Sequence, residues 1–177
     1  MSRKNTINKS PHLALLAIAL LTGAVIGLLS SLRKISLTDF LPPLGILTTD
    51  IPADIFLRSV IYYGRFLPAV FICSIIQAGT LIIPAIIAFQ GYSFSVGSAA
   101  LFAAYAERYA TEIIIAYGIT ISASVFCTFC MGITALLHKR SMHKNKFILF
   151  ALLTVMIMLF SAFDIYFSAQ IIEHLKI

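Results

Sequence analysis

Apolar residues come along the chain in blocks of about twenty, without the alternation of a half-buried strand or the single stripe of a surface helix. Blocks of that length are what helices solvated by hydrocarbon require. Residues 13–32 run for 20 positions without a charge, enough for a helix rising 1.5 Å per residue to cross about 30 Å of lipid. A second block, 66–89, carries Pro68 near one end and Pro84 near the other, and it closes on Gln90-Gly91-Tyr92-Ser93, which reads as a tight turn. The charge-free stretch after it, 94–106, is short, and it reaches spanning length only as 92–109. Residues 113–137 and 147–167 are two further spans, separated by the polar run 138–146.

Between the first two blocks lies a polar segment, 33–65, with Pro42-Pro43, Gly45 and Pro52 marking loop structure. From Asp54 onward the charged residues Asp54, Arg58 and Arg65 recur at helical spacing, while Phe56, Leu57, Val60 and Ile61 point elsewhere. That pattern predicts an amphipathic helix lying at the membrane interface. The expectation is therefore an all-α, polytopic membrane helix bundle forming a single domain over 1–177: five transmembrane helices plus one interfacial amphipathic helix.

Composition agrees. The chain is 60% apolar and 11% charged, against about 25% charged residues in soluble domains. Its net charge of +6 is unevenly placed: the leader holds Arg3, Lys4 and Lys9, and 138–146 holds Lys139, Arg140, Lys144 and Lys146, with no acid in either. Basic residues collect on cytoplasmic segments, so both runs are expected inside. An even number of crossings must separate them, which gives five spans with the amino end cytoplasmic and the carboxyl end outside. The basic excess then faces a lipid surface, and nucleic acid is not needed as a partner to explain it. A basic leader before an apolar block also describes a signal peptide, but this block is longer than a signal core and no A-x-A-like site follows, so a retained anchor is expected.

Residues able to carry chemistry are sparse. Cys73, Cys127 and Cys130 lie within apolar blocks, an odd count with no second CxxC, and are read as packing thiols. His138 and His143 sit in the basic run, and His12 and His174 are isolated, so no metal or other cofactor is expected. Asp164 is the one acid within a span, four residues from its outer end, where it is read as an interfacial or partner-contacting carboxylate. Glu107, Arg108 and Glu112 cluster between the third and fourth spans; with Arg58, Arg65 and Asp164 they are the candidate partner contacts. No P-loop, GxSxG or HExxH is present, so no catalytic residue is assigned and no enzyme is expected. Small residues recur at four-residue spacing: Gly23 and Gly27, then Ser95, Ala99 and Ala103, then Ser124, Thr128 and Gly132. Such faces let helix backbones approach closely, within one chain or between copies in an oligomer.

The order of these features resembles the stage II sporulation protein M family. It is carried by Thr22-Gly23-Ala24-Val25-Ile26-Gly27-Leu28 closing the first span and by Tyr62-Tyr63-Gly64-Arg65-Phe66-Leu67 leading to Gly79-Thr80-Leu81-Ile82-Ile83-Pro84. Gln90-Gly91-Tyr92-Ser93-Phe94-Ser95-Val96-Gly97 and Ser161-Ala162-Phe163-Asp164-Ile165-Tyr166-Phe167-Ser168 complete it. The chain departs at Glu107-Arg108-Tyr109-Ala110-Thr111-Glu112, where many relatives carry a proline-containing signature. The resemblance implies a non-catalytic scaffold or anchor of the bacterial cytoplasmic membrane, with other membrane or cell-wall proteins, peptidoglycan hydrolases among them, as partners. The alternative is a small permease or transporter subunit, in which Pro68, Pro84 and Gly91 break helices to open a site served by Gln77 and Thr80.

Overall fold

The computed structural model describes residues 10–32, 53–76, 79–105, 110–137 and 143–175, and their side chains except at 10, 80, 104–105, 110–116, 143–144 and 167–175. They form six helices: α1 (Ser10–Ser31), α2 (Ala53–Gly64), α3 (Phe66–Ile75), α4 (Ile83–Tyr105), α5 (Ala110–Leu137) and α6 (His143–Leu175). A 3-10 turn at Gly79–Leu81 precedes α4, and no strand occurs among the described residues. Four segments are long and apolar enough to cross a bilayer: Pro11–Ser31, Ile83–Ala103, Tyr117–Leu137 and Asn145–Tyr166. The pair α2 and α3, bent by 46°, supplies a fifth if it is one span.

The small residues of α1 and α4 decide how the pair is used. A methyl group added to Gly23 would collide with the Ala88 carbonyl, one on Gly27 would lie 2.6 Å from the Tyr92 carbonyl oxygen, and one on Gly91 would strike the Leu20 carbonyl. Only hydrogen fits at these three points. Gly23 faces Ala88 and Gly27 faces Tyr92, so the two helices advance in the same direction. Parallel neighbours need the intervening chain to come back across the bundle, and α2 with α3 is the described helical segment between them. Tyr63, next to the bend, bonds Asp164 while Ser74, at the far end of α3, bonds Lys146, eighteen residues apart on α6 and so separated by about 27 Å of helix. The bundle has five crossings if this pair is counted as one span and four if it is not.

The remaining helices follow antiparallel. Ile83 and Ile87 of α4 close on Gly132 of α5, whose added methyl would sit 3.4 and 3.3 Å from them, whereas Gln90 reaches Ser124 and Thr128. Leu16, Val70, Ile83, Ile87, Cys127, Met131 and Ala135 are fully buried in one continuous core drawn from α1, α3, α4 and α5. Phe71 of α3 stacks on Phe150 of α6 with ring centroids 4.4 Å apart, and Phe147 lies edge-on beside it. Leu13, Ile18, Leu21, Val25 and Leu29 of α1 are exposed, as lipid-facing positions are. Hydroxyls on the spans turn back on their own helices: Thr22 to Ile18 O, Ser98 to Phe94 O, Ser122 to Gly118 O, Thr134 to Cys130 O and Thr154 to Phe150 O. Each proton thereby finds an acceptor without water.

Two expected boundaries are corrected. The block 66–89 is not one helix, because α3 stops at Ile75 and α4 begins at Ile83. Ile76 is extended, the Gly79 amide bonds Ile76 O at 3.0 Å, and a methyl on Gly79 would run into the Cys73 carbonyl, so the turn folds tightly onto α3. Gln90-Gly91-Tyr92-Ser93, expected as a turn, is continuous helix in the middle of α4. Glycine in a helix interior costs about 1 kcal/mol relative to alanine; here its missing side chain is what admits α1, and packing outweighs propensity. The expected span 92–109 is replaced by α4, Ile83–Tyr105, 23 residues, long enough to span without thinning the bilayer. The expected amphipathic helix is α2, with Asp54 and Arg58 exposed and paired at 2.9 Å. It does more than rest on a surface: Ser59, Tyr62 and Tyr63 are buried, while the apolar Leu57 and Ile61 remain exposed.

Replacing Gly23 or Gly27 by leucine is expected to separate α1 from α4 and to lower stability by about 1–3 kcal/mol, the usual cost of overpacking; unfolding in mild detergent measures it. In a cysteine-free background, single cysteines at Ser36, Thr111 and Gln170 should react with an impermeant thiol reagent from one membrane face and Ser141 only from the other. Labelling of Ser141 and Thr111 from the same face would show that α5 does not cross.

Candidate functional site

The bend between α2 and α3 sets up a polar interior. Arg65 is the hinge residue, and Pro68 stands in the first turn of α3, where its missing N–H is least costly. A break inside lipid leaves backbone carbonyls that need donors. Ser124 of α5 supplies one by donating its hydroxyl to the Tyr63 carbonyl. The same Ser124 Oγ accepts from Gln90 Nε2 at 3.4 Å, and Thr128 Oγ1 donates to Gln90 Oε1 at 2.6 Å. Gln90 is fully buried, yet both ends of its amide are used. At the other end of α3, Lys146 is 5% exposed and donates from Nζ to the Ser74 carbonyl at 2.8 Å, meeting the negative end of that helix with a cation.

A second polar group lies where α2 meets α5 and α6. Tyr63 Oη donates to Asp164 Oδ2 at 3.1 Å, and Tyr62 Oη lies 3.1 Å from Tyr117 Oη. The rings of Tyr62 and Tyr63 meet edge to face at 5.2 Å, and Tyr63 and Tyr117 are tilted at 6.2 Å. Arg65 lies over the rings of Tyr62 and Phe66, 4.7 and 4.9 Å from their centroids. Asp164 is 2% exposed, and its Oδ1 has no hydrogen-bond partner.

Measured against the sequence, the expected sites divide. Gly23, Gly27 and Gly132 are packing positions as read, and Ser95 Cβ would be 3.0 Å from a methyl on Gly27. Ala99 and Ala103 instead line an open apolar groove of about 670 Å³ between α1, α4 and α5, together with Ala24, Leu28 and Phe102. Ser124 and Thr128, read as small packing residues, are hydrogen-bonding braces. Among the partner contacts Arg58 and Arg65 are exposed. Asp164 is corrected: its carboxylate is buried under Tyr63 and is not offered to a partner. Glu107 and Arg108 lie outside the described residues, and so does the side chain of Glu112. Gln77 and the Thr80 side chain, proposed for a permease site, are likewise outside them, and Gly91 does not break its helix. Cys127 is buried, and all three cysteines are free thiols.

Sequence reading missed Gln90, Tyr62, Tyr63, Tyr117 and Lys146. The signal available was a glutamine inside a long apolar stretch, which costs several kcal/mol in lipid unless its amide is bonded. Compared with protein-family models, with curated proteins and with solved structures, the chain matches none.

Ser124→Ala leaves the Tyr63 carbonyl without its side-chain donor and is expected to cost about 1–3 kcal/mol. A double-mutant cycle with Gln90→Leu and Thr128→Val should show a coupling of about 0.6–1.7 kcal/mol, as interhelical bonds in lipid do; additivity would mean that the 2.6 Å contact contributes nothing.

Proposed function

We propose that this chain is a non-catalytic integral scaffold or anchor of the bacterial cytoplasmic membrane, with its amino end in the cytoplasm and its carboxyl end outside. The observation that carries the reading is the use of the interior polar side chains on the bundle's own backbone. Ser124 caps the Tyr63 carbonyl, Gln90 is bonded between Ser124 and Thr128, and Lys146 caps the Ser74 carbonyl. Side chains committed in this way brace a bent helix. Orientation follows from the basic runs at 3–9 and 139–146.

The polar segment between α1 and α2, the exposed Arg58 in the first half of α2, and the Glu107–Glu112 junction then face the cell wall. The resemblance to the stage II sporulation protein M family supports partners that remodel peptidoglycan. The permease alternative draws on the buried Asp164 carboxylate, since ionisable residues within spans are commonly functional. Substrate-dependent flux in proteoliposomes would place it above the anchor.

Affinity capture of the tagged chain from mild detergent is expected to enrich a peptidoglycan hydrolase, and a deletion strain should show altered division or sporulation. Capture without any hydrolase, together with unchanged division and sporulation, counts against the anchor.

A further inference from the structure

Three of the buried side-chain oxygens that lack a hydrogen-bond partner belong to the α2–α6 interface: Ser59 Oγ, Ser161 Oγ and Asp164 Oδ1. The fourth, Ser93 Oγ, is on α4. Their register can be read from neighbouring contacts. A methyl on Gly64 would lie 3.6 Å from Ile157 Cγ2, and Ser74 and Lys146 pair further along, so α2–α3 and α6 run antiparallel. One turn back from Tyr63 on α2 is Ser59, and one turn forward from Ile157 on α6 is Ser161. Asp164 follows three residues later on the same face and is already fixed to Tyr63 Oη. Ser59 and Ser161 are 0% exposed, so their oxygens point into the interface.

Hydroxyls elsewhere on the spans, at Thr22, Ser98, Ser122, Thr134 and Thr154, donate to a carbonyl one turn back. Ser59 and Ser161 forgo that bond, leaving their oxygens free to act as ligands. Asp164 lacks a counter-charge as well: among the described residues no cationic side chain is within 4.0 Å of it, Arg58 being paired with Asp54 and Arg65 lying over Tyr62 and Phe66. The groups facing it are Tyr63 on α2, Tyr117 on α5, and Ser161 on α6, none of them cationic. A buried carboxylate in low dielectric either takes up a proton or has its charge matched by a cation.

We propose that Asp164 Oδ1, Ser161 Oγ and Ser59 Oγ, with Tyr63 holding Oδ2, form a binding site for a sodium-sized monovalent cation. The ligands are all hard oxygens, the class that hard cations select. They carry a single negative charge, so a monovalent ion leaves the site neutral where a divalent ion would leave a buried positive charge. The cation joins α6 to the bent α2–α3 pair, and the site stands whether the bundle anchors or transports.

The test is thermal unfolding of the purified full chain in detergent, titrated with NaCl against N-methylglucamine chloride at constant ionic strength and at several pH values. Sodium should raise the midpoint saturably, by about 5–10 °C at a hundredfold excess over the dissociation constant. Asp164→Asn should abolish the rise. Ser59→Ala and Ser161→Ala, which remove one hydroxyl each and should still fold, should raise the sodium concentration needed for half the effect. A midpoint that responds to pH and not to sodium, or an equal rise in Asp164→Asn, overturns the proposal. If Asp164→Asn fails to fold, unchanged sodium titrations in both serine variants overturn it equally.

Discussion

Gly23, Gly27 and Gly91 bring α1 and α4 together backbone against backbone, and they do so with both helices running the same way. Parallel neighbours cannot be joined by a short loop. The chain has to be carried back across the bundle between them, and the described helical segment between them is two short helices instead of one long one. The bend, the capped carbonyls and the position of Tyr63 beside Asp164 all descend from that return path. Close approach at glycine gains dispersion contacts, which drive helix association where water supplies no hydrophobic force.

A bent crossing is tolerated because other helices satisfy what it exposes. In lipid an unpaired carbonyl has no water to turn to, and the donors here come from α5 at the bend and α6 at the far end of α3. Polar residues in this interior are thus consequences of the backbone's shape. Gln90 illustrates the point: its amide is bonded on both sides, linking α4 to the residue that holds the α2 carbonyl. Asp164 follows the other logic. One of its oxygens is held and the other is left over beside two unpartnered hydroxyls, an arrangement that no backbone requirement explains.

The same division separates residues that fasten the bundle from residues that face outward. Arg58 and Asp54 form an exposed pair one turn apart, which contributes little to stability. Arg65 covers Tyr62 and Phe66, shielding the aromatic layer where α2 turns into α3. An anchor built on this plan would keep its helices fixed and act through such surface groups and the polar segment that precedes α2.

By itself the sequence determined that this is an all-α membrane bundle, because block length and the scarcity of charge depend only on the thickness of hydrocarbon. It also marked Gly23 and Gly27 of α1, which the structure sets against the α4 backbone. Where the crossings begin and end was decided by tertiary structure. Gln90-Gly91 carries the local signature of a turn, and nothing within α4 cancels it; the cancelling groups are Leu20 and Ala24 on α1 and Ser124 and Thr128 on α5. Likewise Asp164 near the end of an apolar block reads as a surface carboxylate until Tyr63, a hundred positions away, is laid over it. Propensity and hydropathy act along the chain, whereas close packing and buried hydrogen bonds act across it. Features set by the second kind of force became visible only when the helices were placed side by side.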